Sequence, residues 1–147
     1  VLVRNSLTNP AGVRLLMDNL ELRPLLSREE ILMMWSPMIN SKIPEIYGMD
    51  NLCESVGMVL LGQASALIGI LNGERVGCMI YQSNGDTALI RQLYGPGLGF
   101  KFRDLIVAKF KELGFKRISG TSSHINGDAF QRLFNMKKIY TYYEREV

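Results

Sequence analysis

The sequence predicts an α+β domain in which a mixed, mostly antiparallel sheet is flanked by helices, and three observations predict it. Helix-type start signals occupy the first 63 residues. From Ala64 the apolar pattern changes to short runs separated by Asn-Gly turns. Beyond a glycine-rich segment at 95–99 the order becomes helix, strand, helix, strand. At 147 residues the chain suffices for one domain that buries roughly two-thirds of the surface its unfolded form exposes. No repeat or Pro/Ser linker divides it, so residues 1–147 are read as a single unit. Its helical part is 1–63, and its hairpin, glycine loop and following elements are 64–147.

Asn9 before Pro10 marks a first helix start, because proline at the first helical position loses no needed hydrogen bond. Leu15, Leu16 and Leu20 then face inward. Ser27 and Glu30 have the spacing of a capping box, with Leu26 placed to staple onto Ile31, so a second helix is expected from there to Met38. Its Met33, Met34, Trp35 and Met38 read as core filling, a commoner use of methionine than a soft binding surface. Asp50 is expected to cap a third helix through Cys53, Val56, Val59 and Leu60 that ends near Gly62. Ala66 to Leu71 and Arg75 to Tyr81 read as strands joined by Asn72-Gly73, the strongest short hairpin signal. A second turn at Ser83-Asn84-Gly85-Asp86 leads to a strand at Thr87 to Leu93. After Gly95-Pro96-Gly97-Leu98-Gly99, the residues Phe102, Leu105, Ile106, Phe110 and Leu113 repeat at helical spacing until Gly114. A strand at Arg117 to Gly120, a polar loop at Thr121 to Asn126, a short helix from Asp128 to Met136 and a strand at Ile139 to Glu146 complete the order.

Net charge is +3, but residues 1–72 carry five Lys/Arg against seven Asp/Glu while residues 73–147 carry twelve against seven. The positive excess therefore lies in the second half, which suits a polyanionic ligand and equally suits a solvated basic face. A nucleic-acid module is the weakest reading, since no recognition motif and no interleaved aromatic and basic pattern occurs. Cys53 and Cys78 lie far apart without C-x-x-C spacing and His124 is the single histidine, so no metal site is expected. Both thiols read as buried and free in a reducing cytosol. The longest apolar run, Val56 to Leu71, is interrupted by Gln63 and Ser65 and is shorter than a spanning helix. With no signal-peptide core near Val1 to Asn5, the expected location is cytoplasmic.

The segment Gln92 to Gly99 carries the chemistry. A helix start offers N–H groups with no internal partner and a partial positive charge. Glycines at alternate positions keep side chains away from converging amides, so a phosphate can approach. Such a loop can also be a plain turn. The dinucleotide fingerprint needs a parallel strand-helix-strand context, whereas here the loop follows an antiparallel meander, and G-K-[ST] is absent.

The arrangement resembles the GNAT acyltransferases over residues 64–147. Gly95-Pro96-Gly97-Leu98-Gly99, the amphipathic helix through Leu105 and Ile106, and Gly114-Phe115-Lys116-Arg117-Ile118 carry the resemblance. It implies a GNAT-like fold and acetyl-CoA as cosubstrate. Leu89, Ile90, Arg91 and Gln92 would line the pantetheine arm. Tyr94, Gly95, Gly97, Leu98, Gly99 and Phe100 would hold the diphosphate, with Lys101 and Arg103 adding charge and Asn126 reaching the arm. The preferred register places Tyr94 where the family has Gln or Arg; the alternative places Gln92 there and moves the loop two residues from the helix.

The family's frequent glutamate base is absent from Thr87 to Leu93, and Leu133 or Phe134 replaces its frequent tyrosine acid. The candidates for proton transfer are His124, which also reads as a surface or structural histidine, and Tyr94; the terminal Tyr140, Tyr142 and Tyr143 also read as sheet packing. The resemblance implies an N-acetyltransferase acting on an unidentified amine by direct transfer. The alternative is a catalytically silent GNAT-like structural or assembly protein. Phe102-Arg103-Asp104-Leu105-Ile106 and Thr121-Ser122-Ser123-His124-Ile125 resemble segments of small GNAT-like proteins of short-tailed bacteriophages, some serving in virion assembly or the internal core. The terminal strand could also pair with another copy of the chain.

Overall fold

The computed structural model describes residues 19–120 and 133–135. Among the described residues five strands form one sheet in sequence order: β1 (Glu21–Pro24), β2 (Ser65–Leu71), β3 (Glu74–Asn84), β4 (Thr87–Tyr94) and β5 (Arg117–Gly120). The first four are antiparallel neighbours, and β5 runs parallel to β4. Between β1 and β2 lie a 3-10 helix (Arg28–Met34), α1 (Trp35–Ile39), α2 (Ile43–Tyr47) and α3 (Met49–Leu60). Between β4 and β5 lies α4 (Gly99–Glu112).

Alternation along β2 and β3 sends successive side chains to opposite faces, and both faces are covered. Ala66, Ile68, Cys78 and Ile80 pack with Ile31, Met34, Met38, Ile43, Leu52, Val56 and Val59 of the helical segment. Leu67, Leu71, Met79 and Tyr81 pack with Leu98, Phe102, Ile106 and Phe110 on the other side. Burial on two faces explains why these strands read as nearly continuous apolar runs. The expected hairpin is present, with Asn72 at φ 51° and Gly73 at φ 80°. The expected strands β4 and β5 and helix α4 are present too, β4 running one residue further to Tyr94.

Several expectations in the helical part are corrected. Residues 21–24 form an edge strand rather than helix. Four residues ending in proline carry no legible alternation, and an edge position tolerates the missing N–H. The segment after Ser27 winds as 3-10 for seven residues before turning α-helical. Ser27 makes no side-chain cap, and Leu26 is 80% exposed, so neither capping box nor staple forms. Glu30 is drawn elsewhere. Its carboxylate is 4% exposed and accepts Arg23 Nη1 at 2.8 Å, Arg23 Nη2 at 2.6 Å, Leu26 N–H at 2.9 Å and Arg75 Nε at 2.9 Å. This ion cluster joins β1, the 3-10 helix and β3, and hydrogen bonding from Arg23 draws the Glu30 carboxyl down to about 2.

Met33 is exposed, and so is Leu113 after α4, while Met34 and Met38 are core. Gly48, not Asp50, occupies the cap of α3. Cys53 is exposed rather than buried, whereas Cys78 is fully enclosed and burial pushes its thiol up to about 12. The expected helix at Asn9-Pro10 with Leu15 and Leu16, the loop holding His124 and Asn126, and the terminal strand with Tyr140, Tyr142 and Tyr143 lie outside the described residues, as does most of the helix expected from Asp128. Leu20, from the first of these, is buried in the core against β2.

Candidate functional site

The glycine segment forms a tight turn that runs directly into α4. Leu98 N–H bonds Gly95 O at 3.2 Å and Phe102 N–H bonds Leu98 O at 3.5 Å. The amides of Gly97, Gly99, Phe100 and Lys101 have no acceptor among the described residues. Gly97 (φ 76°) and Gly99 (φ 50°) adopt left-handed backbone that L side chains rarely take. A Cβ at either position would meet nothing within 4 Å. Open space, unpaired amides and the start of a 14-residue helix thus coincide, which is what an anion of diphosphate size requires.

Gly95 is glycine for another reason. A Cβ there would stand 2.7 Å from the Phe102 ring, and Cβ atoms at Gly69 and Gly77 would approach the same ring at 3.1 and 3.0 Å. Gly69 and Gly77 are direct cross-strand partners. The ring therefore sits on a floor of glycines and fixes the first turn of α4, and with it the loop, against the sheet. Isolated glycines inside β2 and β3 were the signal for this seat, because strand glycines often mark a close approach.

β4 and β5 pair in parallel from Thr87↔Arg117 to Ile90↔Gly120, the last described residue of that segment. A bulge lies at the same place, since Tyr81 pairs with Ile90 and Ile80 with Gln92, leaving Arg91 as the extra residue. The extra residue inverts the phase of the strand. Ala88 and Ile90 belong to the core under α4, whereas Tyr94 packs on the side of the helical segment. Arg91 and Gln92 both reach α3: Arg91 Nε bonds Ser55 Oγ at 3.0 Å, and Gln92 Nε2 bonds Asn51 Oδ1 at 2.6 Å and Ser55 Oγ at 3.2 Å. Arg91 also donates to Gln82 Oε1 at 3.0 Å and stands 3.6 Å from the exposed Glu54 carboxylate.

The structure thus places Arg91, Gln92 and Tyr94 at the C-terminal end of β4 and gathers Gly95, Gly97, Leu98, Gly99 and Phe100 at the start of α4. The side chains of Ile90 and Leu98 lie in the core, at 1% and 6% exposure, while Leu89 is half-buried. Phe100 is exposed, with the Arg103 guanidinium 4.6 Å above its ring. Arg103 is engaged with Asp104 at 2.7 Å and with Leu133 O at 3.2 Å, so Lys101 is the nearer cation without an ion partner among the described residues. Asn51, Ser55 and Gln82 were not singled out from sequence; their small polar side chains carry no periodic signal. A cleft of about 360 Å³ between α4 and residues 134–135 and one of about 260 Å³ beside β2 are both lined by other residues than those of the loop. No group of His, Cys, Asp and Glu suited to a metal ion occurs among the described residues. None of the described helices is long and apolar enough to cross a membrane.

No protein-family model matches the sequence, and no curated protein sequence matches it. Solved structures do. A possible acetyltransferase from Clostridium difficile 630 superposes with a TM-score of 0.59 at 18% identity, covering 87% of this chain and 97% of that one. The aminoglycoside N-acetyltransferase AAC(6')-Iy in complex with CoA gives 0.57 at 12% identity, covering 86% and 94%. A ribosomal-protein-alanine N-acetyltransferase from Brucella melitensis biovar Abortus 2308 gives 0.57 at 13%, covering 87% and 97%. The fold is therefore that of the GNAT acetyltransferases, over nearly the whole length of these proteins. The eight matched chains are all described as acetyltransferases, so the resemblance to phage assembly proteins gains no support from them.

Proposed function

We propose that this chain is an acetyl-CoA-dependent N-acetyltransferase that passes the acetyl group directly to an amine. One observation carries the reading: four amides with no acceptor among the described residues, two of them on left-handed glycines with open space around them, stand where a 14-residue helix begins. Coenzyme A needs such a cradle for its diphosphate. Gly97, Gly99, Phe100 and Lys101 would hold the diphosphate through their amides, and Arg91 to Tyr94 would border the arm. The acceptor would approach from the side of the helical segment, on which the Arg91 and Gln92 side chains lie.

In the reaction the amine nitrogen attacks the thioester carbonyl. The C–N bond forms, the C–S bond breaks, the amine gives up a proton and the thiolate gains one. Tyr94, half-buried where β4 meets the loop, is the described candidate for the thiolate's proton, and His124 is the second candidate for proton transfer. Holding both reactants in place supplies much of the rate in such a transfer.

The test is a melting curve with acetyl-CoA at a few hundred micromolar. If that concentration is about 100 times Kd, the native state gains about 2.7 kcal/mol and the transition rises by several degrees. Gly97→Asp puts a carboxylate in the cradle and should abolish the rise while the chain still folds. An unchanged melting temperature for the unaltered chain would refute coenzyme binding. Thiol release from acetyl-CoA in the presence of neamine or of an alanine-terminated peptide then tests transfer to the two kinds of acceptor served by the similar structures.

A further inference from the structure

At the last turn of α3 a cleft of about 260 Å³ opens where β2 outruns β1. The last pair between these strands is Pro24↔Leu67, so Ser65 and Ala66 run on without a β1 partner. Pro24, Leu25, Val59, Ala64 and Ala66 make apolar walls, and Arg28 is the one charged residue among the described ones that line it. The cleft stands away from Asn51 and Ser55, which occupy the first turns of α3. It also stands away from Asn19 at the head of β1 and from β5 on the opposite edge of the sheet, where the described residues break off.

Arg28 is the only described arginine with neither a hydrogen bond nor an ion pair among the described residues. Arg23 and Arg75 are held by Glu30, Arg91 by Ser55, Gln82 and Glu54, Arg103 by Asp104, and Arg117 by Asp86. The Arg28 head is nonetheless seated. A Cβ on Gly62 would stand 2.7 Å from its Nη2, 2.9 Å from Cζ and 3.2 Å from Nη1, so the guanidinium lies across that glycine. The C-terminal end of α3 favours a cation but gives this one no hydrogen bond, because the carbonyls there turn to the chain itself. Gly57 O accepts Leu61 N–H, Val59 O accepts Gly62 N–H, and Met58 O accepts both Gln63 and Ala64 N–H. The same bonds occupy the amides of that turn, which leaves the guanidinium fork as the means of holding an anion.

We propose that this cleft binds a carboxylate carried on a short branched aliphatic group, with Arg28 as the anchor. One guanidinium matches one carboxylate: two parallel N–H donors meet two oxygens and the charges cancel. A phosphate dianion would keep a negative charge unmatched. The aliphatic group lies on Pro24, Leu25 and Val59, where removal from water favours it. Leu26 and Leu61, 80% and 71% exposed, flank the lining residues Leu25 and Gly62 and extend the apolar rim. The inference stands apart from the coenzyme reading, since neither the glycine loop nor β4 lines the cleft.

The experiment is an NMR titration of the whole chain with isovalerate, with its neutral counterpart isovaleramide, and with a short peptide ending in a free valine carboxylate. The backbone resonances of Gly62, Ala64 and Ala66 and the Arg28 Nε–H should move with isovalerate and not with isovaleramide. Arg28→Gln, at a position that holds no other described side chain in place, should weaken the response about tenfold or more, the worth of hydrogen bonds to a charged group. Binding of the acid alone identifies a free small acid, and binding of the peptide identifies a chain end; both uphold the site. Cleft resonances that stay still with every probe, that move equally with acid and amide, or that respond unchanged in Arg28→Gln overturn it.

Discussion

Glu30→Gln removes a buried charge that two arginines and a backbone amide converge on, and the size of the effect follows from the carboxyl group itself. Its pKa falls from 4.5 to about 2 on folding, first because of the hydrogen bonds from Arg23 and then because of those from Leu26 N–H and Arg75, against the opposing effect of burial. At about 1.4 kcal/mol per unit, the ionised form contributes about 3 kcal/mol to stability at neutral pH. Because the folded value lies below the unfolded one, that contribution is complete above about pH 4.5 and disappears as pH falls towards about 2. Urea unfolding of wild type and Glu30→Gln at a series of pH values isolates it. At pH 7 the variant should be less stable by about 3 kcal/mol, a drop of roughly 10 °C in Tm for a chain of this length. The two curves should converge below pH 3, where the wild-type carboxyl takes up its proton. Added salt should narrow the gap only slightly, since a buried pair is poorly screened. A gap that is constant from pH 5.5 to 2.5, or smaller than about 0.5 kcal/mol at pH 7, would refute the reasoning.

Gly95→Ala should destabilise by about 1–3 kcal/mol through its clash with the Phe102 ring, and Phe102→Leu in the same chain should return part of the loss in a denaturation cycle. Gly97→Ala meets no neighbour and should cost about 1–2 kcal/mol of left-handed backbone strain, with no part of the loss returned by Phe102→Leu in the same denaturation cycle. Cys53, being exposed, should react quickly with a chromogenic disulfide reagent at pH 8, whereas Cys78 should react only after unfolding. Two thiols titrating at one rate would contradict the core. Gly97→Asp should remove the acetyl-CoA shift in the melting curve.

The sequence alone determined the meander, the glycine loop and the helix after it. Asn72-Gly73 and Gly85-Asp86 make turns whose backbone geometry is local, the apolar runs between them cannot stay in water, and Gly97 and Gly99 permit a left-handed chain at little cost. These are short-range constraints, so β2, β3, β4, the loop and α4 were legible, together with the fold that the resemblance implied. Only the tertiary structure decided the rest. Ser27 and Glu30 have the spacing of a capping box, yet two arginines distant in sequence offer the carboxylate a stronger partner than a helix start does. Residues 21–24 become a strand because β2 lends them an edge, not because of any pattern of their own. Most consequentially, one extra residue at Arg91 inverts β4, so that Gln92, which strict alternation would place beneath α4, instead meets Asn51 and Ser55. A bulge leaves almost no mark in composition or periodicity, because it is settled by how β4 must pair with β3. The glycine segment was therefore readable residue by residue, whereas the contacts of Gln92 with Asn51 and Ser55 were fixed only when the sheet and α3 came together.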